Sequence, residues 1–287
     1  MSGIVYLNGE YLPLEQAKIS VLDRGFLFGD GVYEVIPAYA GKPFRFQQHL
    51  QRLENSLSAI QINNPLNASA WQQVLEHLIS VNEGDHFSIY LQITRGRQTQ
   101  RDHIYPEDLE ATVFIMLTAI ADKPVGHYAS GIKAITLDDI RWKACHIKAT
   151  TLLANVMLKQ QADQLGAAEA ILIRDGLAYE GAASNLFIVA NGVIKTAPKS
   201  EFLLGGITRD LVLELAEKNA MDFAEVDIAE SELENADEIW LTSSTKEIMP
   251  VIALNDKTVG DGKAGPVWKK MTEYYQAYKT SLIQQSK

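Results

Sequence analysis

The sequence of 287 residues has little cysteine and an excess of negative over positive charge. Its one cysteine, Cys145, cannot form a disulfide within the chain, and no Cys/His cluster has the spacing of a zinc site. We therefore expect a reducing compartment and no bound metal. Lys and Arg number 26 against 36 Asp and Glu, so the formal charge of -10 would repel nucleic acid and anionic membranes.

Long hydrophobic runs are also missing. The longest, around residues 113–117, is far too short to cross a bilayer and suits a buried strand. The N-terminus has neither the basic start nor the apolar run of a signal peptide. The sequence thus predicts a cytoplasmic protein without a membrane anchor. Hydrophobic residues still make up 47% of the chain, which is enough to form a sizeable core.

The commonest motifs for nucleotide binding and hydrolysis are absent as well. There is no Gly-x-Gly-x-x-Gly after a strand, no phosphate-binding loop with Gly-Lys-Ser/Thr, and no Gly-x-Ser-x-Gly turn. Any chemistry must come from other residues.

Strand and helix signals alternate along the chain. Asn8-Gly9, Asp175-Gly176 and Asn191-Gly192 each follow an apolar run, which predicts antiparallel hairpins. Apolar residues alternate over 87–94, as in a half-buried strand. Helical spacing is found in the following places: 50–60, 71–79, 152–157, after Gly205-Gly206, and 267–282.

These signals predict an α+β protein in two domains, each a largely antiparallel or mixed sheet packed with helices. The apolar pattern is interrupted at Ala121-Asp122-Lys123-Pro124, which suits a linker. We place a smaller domain at 1–120 and a larger one at 121–287. A further helix start is indicated by Ser231-x-x-Glu234, the pattern of a capping box.

Two lysines, Lys143 and Lys148, follow a predicted strand. A lysine becomes a nucleophile toward carbonyls when burial or a nearby cation, such as Arg141, lowers its pKa. Most lysines are solvated surface charges, and spacing alone does not favour either of these two.

Glu180 lies in a loop of small residues, 179–185, that would let a ring approach closely. A carboxylate there could hold a protonated ring nitrogen, although bracing a turn is the commoner role. Ile207 and Thr208 begin a helix, whose N-terminal N–H groups suit an anion such as phosphate. The alternative is an ordinary N-cap at Thr208.

Two more polar groups are candidates for binding anions. The run 242–245, Thr-Ser-Ser-Thr, follows a strand and offers hydroxyls to a phosphate, although such runs usually form turns. Arg101 and His103 could grip a carboxylate through charge-assisted hydrogen bonds, with surface salt bridging as the ordinary alternative.

In order along the chain, these segments resemble the class IV aminotransferases, which have fold type IV, and most closely the bacterial D-amino-acid transaminases. The resemblance covers nearly the whole chain. It rests on these motifs: Asp23-Arg24-Gly25, Phe28-Gly29-Asp30-Gly31-Val32-Tyr33-Glu34-Val35, Thr94-Arg95-Gly96, Asp139-Ile140-Arg141-Trp142, Ile147-Lys148, Glu180-Gly181, Gly206-Ile207-Thr208-Arg209-Asp210 and Thr242-Ser243.

The resemblance implies pyridoxal 5′-phosphate as cofactor, bound to Lys148 as a Schiff base. Lys143 is then a bystander or a residue that supports the site from behind. It makes Glu180 the partner of the pyridine nitrogen. It assigns the cofactor phosphate to five residues: Arg52, Ile207, Thr208, Ser243 and Ser244.

The same family pattern matches Tyr33, Arg101 and His103 to a trap for the substrate α-carboxylate. It implies a ping-pong transaminase that moves the amino group of a D-amino acid, such as D-alanine, to a 2-oxo acid, such as 2-oxoglutarate. It also implies a homodimer with shared active sites, because the loop with Arg101 and His103 would reach the neighbouring subunit.

Three other functions are compatible with the same fold. They are a branched-chain L-amino-acid transaminase, an aminodeoxychorismate lyase, and a catalytically silent dimeric binding protein. Arg101 with His103 argues against the first two, and the presence of Lys148 and Glu180 argues against the third. The chain departs from the pattern at Ala182 and Ala183, where relatives often carry hydroxyls, and at Gly205, where many have a larger residue.

Overall fold

The structure is a computed structural model that describes residues 3–121 and 127–284. It contains two compact units, Met1–Asp122 with Ile147–Thr151, and Lys123–His146 with Leu152–Lys287. Of the predicted linker, only Ala121 lies within the described residues, so the division after residue 120 stays a prediction.

The first unit is built on an antiparallel sheet. Its described strands are β1 (Ile4–Leu7), β2 (Glu10–Pro13), β3 (Gly31–Tyr39), β4 (Lys42–Pro43), β5 (Phe87–Thr94) and β6 (Thr112–Ala119). Its helices are α1 (Arg24–Phe28), α2 (Phe46–Ala59) and α3 (Ala68–Ser80). The strands lie in the order β2-β1-β6-β5-β3-β4.

Periodicity explains how this unit forms its core. The predicted alternation in β5 is confirmed, because Phe87, Ile89, Leu91 and Ile93 are buried on one face. Helices α2 and α3 bury residues at helical spacing against that core: Leu50, Leu53, Leu57, Trp71, Leu75 and Leu78. The side chain of Asn67 caps α3 by accepting from the N–H of Ala70 at 2.9 Å.

The second unit is built on a mixed sheet. Its described strands are β7 (Ile132–Asp138), β8 (Glu169–Arg174), β9 (Leu177–Gly181), β10 (Asn185–Ala190), β11 (Val193–Thr196), β12 (Phe223–Glu225), β13 (Glu238–Ser243), β14 (Glu247–Leu254) and β15 (Lys257–Thr258). Its helices are α4 (Leu153–Gln164), α5 (Ile207–Lys218), α6 (Glu230–Leu233) and α7 (Pro266–Gln284).

The order of this sheet is β12-β11-β10-β13-β14-β7-β8-β9, and β15 pairs with β14. The pair Asn185↔Glu180 joins β9 back to β10, so the sheet curves onto itself. The pairs β11–β12, β14–β7 and β7–β8 are parallel. Strands β8, β10 and β13 are buried along nearly their whole length. Their sequences are accordingly almost continuous apolar runs, as expected for strands that are covered on both faces.

The prediction of an α+β architecture, with helices packed on antiparallel or mixed sheets, is confirmed. The capping box predicted at Ser231 is wrong by two residues. Helix α6 begins after Ala229, whose N–H donates to the carboxylate of Glu232 at 3.0 Å. Within the described ranges, no helix has both the length and the apolar character needed to cross a bilayer.

Candidate active site

Lys148 lies in the first unit, on the short segment Ile147–Thr151. Its carbonyl oxygen accepts from the N–H of Tyr33 at 3.0 Å, and its own N–H donates to Oγ of Ser56 at 3.2 Å. Its Nζ lies 4.1 Å from the centroid of the Tyr33 ring. Backbone bonds therefore fix the start of this half-buried side chain, whereas Lys143 is exposed on the second unit.

Glu34 is the centre of a buried charge cluster in the same unit. It follows Tyr33 on β3, and its carboxylate is bound by two residues three apart on α2. Nδ1 of His49 lies 2.8 Å from Oε2. Arg52 donates from Nε to Oε1 and from Nη2 to Oε2, both at 2.7 Å. This two-point contact fixes the plane of the Arg52 guanidinium.

The protonation states in this cluster follow from burial and charge. Burial works to raise the pKa of Glu34, but the charge of Arg52 and the bonds from Arg52 and His49 hold that pKa well below its usual range. Burial lowers the pKa of His49. The hydrogen bond to Glu34 and the charge of Glu34 act to raise that pKa, but burial, with the positive charges of Arg52 and Lys148, outweighs them. At neutral pH, Glu34 is therefore an anion and His49 is neutral.

Glu180 is the buried acid of the second unit, on β9. Its Oε1 accepts from Nη1 of Arg141 at 2.5 Å. Its Oε2 accepts from Nδ2 of Asn185 and from the N–H of Leu204, both at 3.1 Å. Arg141 also binds Asp139 in two-point fashion, at 2.8 and 2.9 Å. The role considered for Arg141 from the sequence, as a cation beside a lysine, therefore gives way to an ion pair with two carboxylates.

Burial raises the pKa of Glu180 to about 7, against the lowering effect of Arg141 and the Leu204 N–H. Burial also acts to lower the pKa of Arg141, but its bonds to Asp139 and Glu180 outweigh this and raise it. The carboxyl of Glu180 is thus near its titration point at neutral pH. A cation brought against it would favour the carboxylate, which is the response needed from a partner of a protonated ring nitrogen.

The N-terminus of α5 is the part of the second unit expected to bind the phosphate. The helix begins after Gly206, which has no side chain to cap the N–H groups of Ile207 and Thr208. The alternative of an N-cap at Thr208 is therefore wrong. Helix α5 packs on β13, where Oγ1 of Thr242 is buried without a hydrogen-bond partner among the described residues. Ser243, half-buried, ends that strand.

Gly206 is required by its surroundings. A Cβ at this position would lie 1.9 Å from Oδ1 of Asn185. Asn185 also donates to the carbonyl oxygen of Leu204 at 2.7 Å, so it links Glu180 to the start of α5. The second unit therefore fits two parts of pyridoxal 5′-phosphate, with an acid for the ring nitrogen and helix N–H donors for the phosphate.

The residues expected to bind a substrate carboxylate lie in the first unit. Tyr33 contacts Lys148, and its ring lies 5.8 Å from that of Tyr90. Arg101 and His103 are exposed on a loop, and both lie against Phe28: the guanidinium carbon is 4.8 Å, and the imidazole centroid 5.1 Å, from the centroid of its ring. The structure thus brings Arg101 and His103 together.

Sequence reasoning missed the partners of these groups. Glu34 had a detectable signal, because it lies between Val32 and Ile36 on the buried face of β3, where a charge requires a partner. Asn185 had none, since polar residues at strand ends usually face water or form turns. Thr242 was considered only as part of the run 242–245, and nothing in the sequence indicated that its hydroxyl is buried without a partner among the described residues.

Comparison with known proteins agrees with the resemblance. A family model described as amino-transferase class IV matches residues 31–254. The chain is 40% identical over 267 residues to a D-alanine aminotransferase of Bacillus licheniformis, covering 93% of this chain and 94% of that one. It is 37% identical over 274 residues to the D-alanine aminotransferase of Staphylococcus haemolyticus, covering 96% and 97%.

Among solved structures, a branched-chain amino acid aminotransferase from T.th., crystallised with pyridoxamine 5′-phosphate, has a similar fold. The TM-score is 0.90 at 28% identity, covering 96% of this chain and 94% of that one. The sequence relatives and the structural neighbour thus fall in one enzyme class.

Proposed function

The chain belongs to the class IV aminotransferases, which use pyridoxal 5′-phosphate, and we propose that it moves the amino group of a D-amino acid to a 2-oxo acid. The observation that carries the substrate assignment is the identity of 37–40% with two D-alanine aminotransferases over nearly the full chain. D-Alanine is therefore the donor we expect, and 2-oxoglutarate a suitable acceptor.

When bound, the cofactor supplies a carbonyl that exchanges amino groups and a protonated ring that withdraws electrons from the substrate α-carbon. We propose that Nζ of Lys148 holds it covalently and later, as a free amine, takes the α-proton of the substrate. The carboxylate of Glu180 keeps a proton on the ring nitrogen. The residues proposed for the phosphate are Arg52, Ile207, Thr208, Ser243 and Ser244.

Tyr33, Arg101 and His103 are proposed to bind the substrate α-carboxylate. A guanidinium and an imidazole against one aromatic ring offer several N–H donors in a small volume, which suits an anion with two oxygens. In this scheme the loop with Arg101 and His103 serves the active site of a second copy, so the active form would be a homodimer. A cytoplasmic location is proposed from the single cysteine, which suits a reducing compartment.

A branched-chain L-amino-acid transaminase is the second candidate, because the structural neighbours include such enzymes. A high TM-score reports the backbone that the family shares, whereas substrate choice depends on side chains. Sequence identity to the branched-chain enzyme is 28%, against 40% to the D-alanine enzyme. We therefore favour the D-amino-acid assignment.

A half-reaction tests the substrate. The holoenzyme is mixed with D-alanine or L-leucine without a 2-oxo acid, and conversion of the cofactor to its amine form is followed by absorbance. We expect D-alanine to convert the cofactor and release one equivalent of pyruvate, at a rate at least about a hundredfold above that of L-leucine. Faster conversion by L-leucine would overturn the D-specific assignment.

Covalent attachment is tested separately. Borohydride treatment of the holoenzyme should leave the cofactor on the peptide that contains Lys148, as read by mass spectrometry. Lys143→Ala should behave as wild type, and Lys148→Ala should lose both the label and turnover. A label on any other lysine would contradict the assignment of Lys148.

A further inference from the structure

Three side chains of the first unit, two arginines and one histidine, pack against the aromatic ring of Phe28, the last residue of α1. The guanidinium carbons of Arg24 and Arg101 each lie 4.8 Å from its centroid, and the His103 ring lies 5.1 Å away at an interplanar angle of 42°. Cations are attracted to the face of an aromatic ring, and rings pack at such tilted angles. The ring is therefore a platform for two exposed side chains.

Arg24 holds the backbone of the same loop from inside the unit. Its guanidinium is buried, with Nη1 donating to the carbonyl oxygen of Asp102 at 2.7 Å and Nη2 to that of His103 at 3.1 Å. Its Nε donates to Asp30 at 2.7 Å. Gln98, also buried, donates from Nε2 to the carbonyl oxygen of Asp102 at 2.9 Å.

These contacts act on a segment that has no helix or strand to hold it. Arg101, Asp102 and His103 are exposed, and Ile104 is 81% exposed. A loop with so little burial would ordinarily be mobile, and binding a ligand would then cost the ordering of two side chains and their backbone. The hydrogen bonds from Arg24 and the contact with Phe28 hold this backbone and these side chains in place before any ligand binds, so the cost of ordering them is not incurred on binding.

From this geometry we propose that Arg24 and Phe28 are positioning residues for the substrate α-carboxylate: Arg24 fixes the loop backbone, and Phe28 fixes the side chains of Arg101 and His103. In this role both residues act through Arg101 and His103 rather than through contact with the substrate. The inference rests on the proposed role of Arg101 and His103 in binding a carboxylate, and it adds the residues that set their affinity for it.

The test compares two donors that differ only at the carboxylate, D-alanine and D-alaninamide, in the holoenzyme half-reaction. Phe28→Leu keeps an apolar side chain of similar size and removes the ring. We expect the half-saturating concentration of D-alanine to rise about tenfold, since two side chains must then be ordered on binding, while that of D-alaninamide stays unchanged. The inhibition constant of propionate, which offers a carboxylate without an amine, should rise by the same factor.

Phe26→Leu is the matched control, because it makes the same change two residues earlier in α1 on a ring that is 67% exposed. It should leave the preference for D-alanine over D-alaninamide as in wild type. Phe28→Tyr, which retains a ring, should restore most of the D-alanine affinity. Absorbance titration should show that Phe28→Leu binds pyridoxal 5′-phosphate as tightly as wild type.

Arg24 is tested through its partner. Oε1 of Gln98 accepts from Nη1 of Arg24 at 2.8 Å. Gln98→Glu is isosteric and keeps this acceptor, but it removes the donor to the carbonyl oxygen of Asp102, so it should also raise the half-saturating concentration of D-alanine and leave that of D-alaninamide unchanged.

An equal loss for D-alanine and D-alaninamide in Phe28→Leu, or the same loss in Phe26→Leu, would overturn the inference. Preference of the wild-type enzyme for L-leucine would instead refute the proposed function. Failure of the inference and failure of the proposed function therefore give different results.

Discussion

Replacing Glu34 by glutamine is the most informative change in the first unit. Glu34→Gln keeps the size and shape of a fully buried side chain and removes its charge. One amide oxygen then replaces two carboxylate oxygens, and the NH2 group faces a donor of Arg52 whichever oxygen it replaces. The two-point contact that fixes Arg52, at 2.7 Å on both sides, cannot form.

Removing one partner of a buried ion pair costs about 3–5 kcal/mol of unfolding free energy. The Arg52 side chain is 11% exposed and thus partly hydrated, so we expect the lower end, about 3 kcal/mol. The pKa of Glu34 is held below its ordinary 4.5, so its contribution is present above pH 4.5 and is lost as the pH falls below it. The stability gap between wild type and variant should therefore shrink in acid.

The effect on cofactor affinity separates positioning from folding. If Arg52 binds the phosphate, loss of its orientation weakens a charge-assisted hydrogen bond worth about 1.5–3 kcal/mol. Pyridoxal 5′-phosphate should then bind the apoenzyme about 10–100-fold more weakly. Pyridoxal, which lacks the phosphate, should bind as in wild type.

The measurement is an absorbance titration of apoenzyme with each ligand, alongside denaturant unfolding across pH. Glu54→Gln is the control, because it makes the same change at an exposed position on α2. Equal weakening of both ligands would refute the reasoning by showing that Glu34 only supports the fold. Unchanged affinity for the phosphorylated ligand would remove Arg52 from the phosphate site.

Three further changes test the second unit. Glu180→Gln should abolish the fall in apoenzyme unfolding free energy between pH 4.5 and about 7, which arises because the folded carboxyl holds its proton more tightly than the unfolded one; denaturant titration across pH reads this directly. Gly206→Ala should cost about 1–3 kcal/mol by thermal unfolding, because its Cβ meets Asn185, whereas Gly205→Ala, with its nearest atoms at 3.6 Å, should be nearly neutral. Thr242→Val removes a buried hydroxyl without a partner among the described residues, so it should raise the unfolding free energy of the apoenzyme by about 1 kcal/mol in denaturant unfolding. If that hydroxyl binds the phosphate, the same variant should bind the cofactor about threefold to tenfold more weakly in absorbance titration.

Elements that bury one face at a regular period could be predicted from the sequence. The alternation in 87–94 became β5, and the helical spacing in 71–79 became most of α3. The capping box at Ser231 was wrong because cap motifs are short and common. In the observed turn the N–H of Ala229 donates to the Glu232 carboxylate, but alanine has no side chain that could accept a bond in return, so only half of a capping box forms and the Ser/Thr pattern does not mark it.

The candidate site was predictable only as a set of motifs. No local property separates Lys148 from Lys143, because the difference between them is tertiary: the segment of Lys148 is bound to Tyr33 and Ser56, which are distant in sequence. The same holds for the partners of Glu180. Arg141 lies 39 residues away along the chain and contacts it through the fold alone.

The two alanines after Gly181, which stand where relatives often carry hydroxyl residues, remove possible hydrogen-bond donors but do not change the shape of the turn that follows Glu180. The N–H of Ala182 donates to the carbonyl oxygen of Ala170 at 2.9 Å, and its own carbonyl accepts from Nδ2 of Asn155 at 2.8 Å. The N–H of Gly181 donates to the carbonyl oxygen of Ser184 at 2.6 Å. Since backbone groups fix this turn, hydroxyl side chains are not needed to hold Glu180 in place. Their absence removes donors that could bind a cofactor or substrate, so any change in specificity should come from those lost bonds.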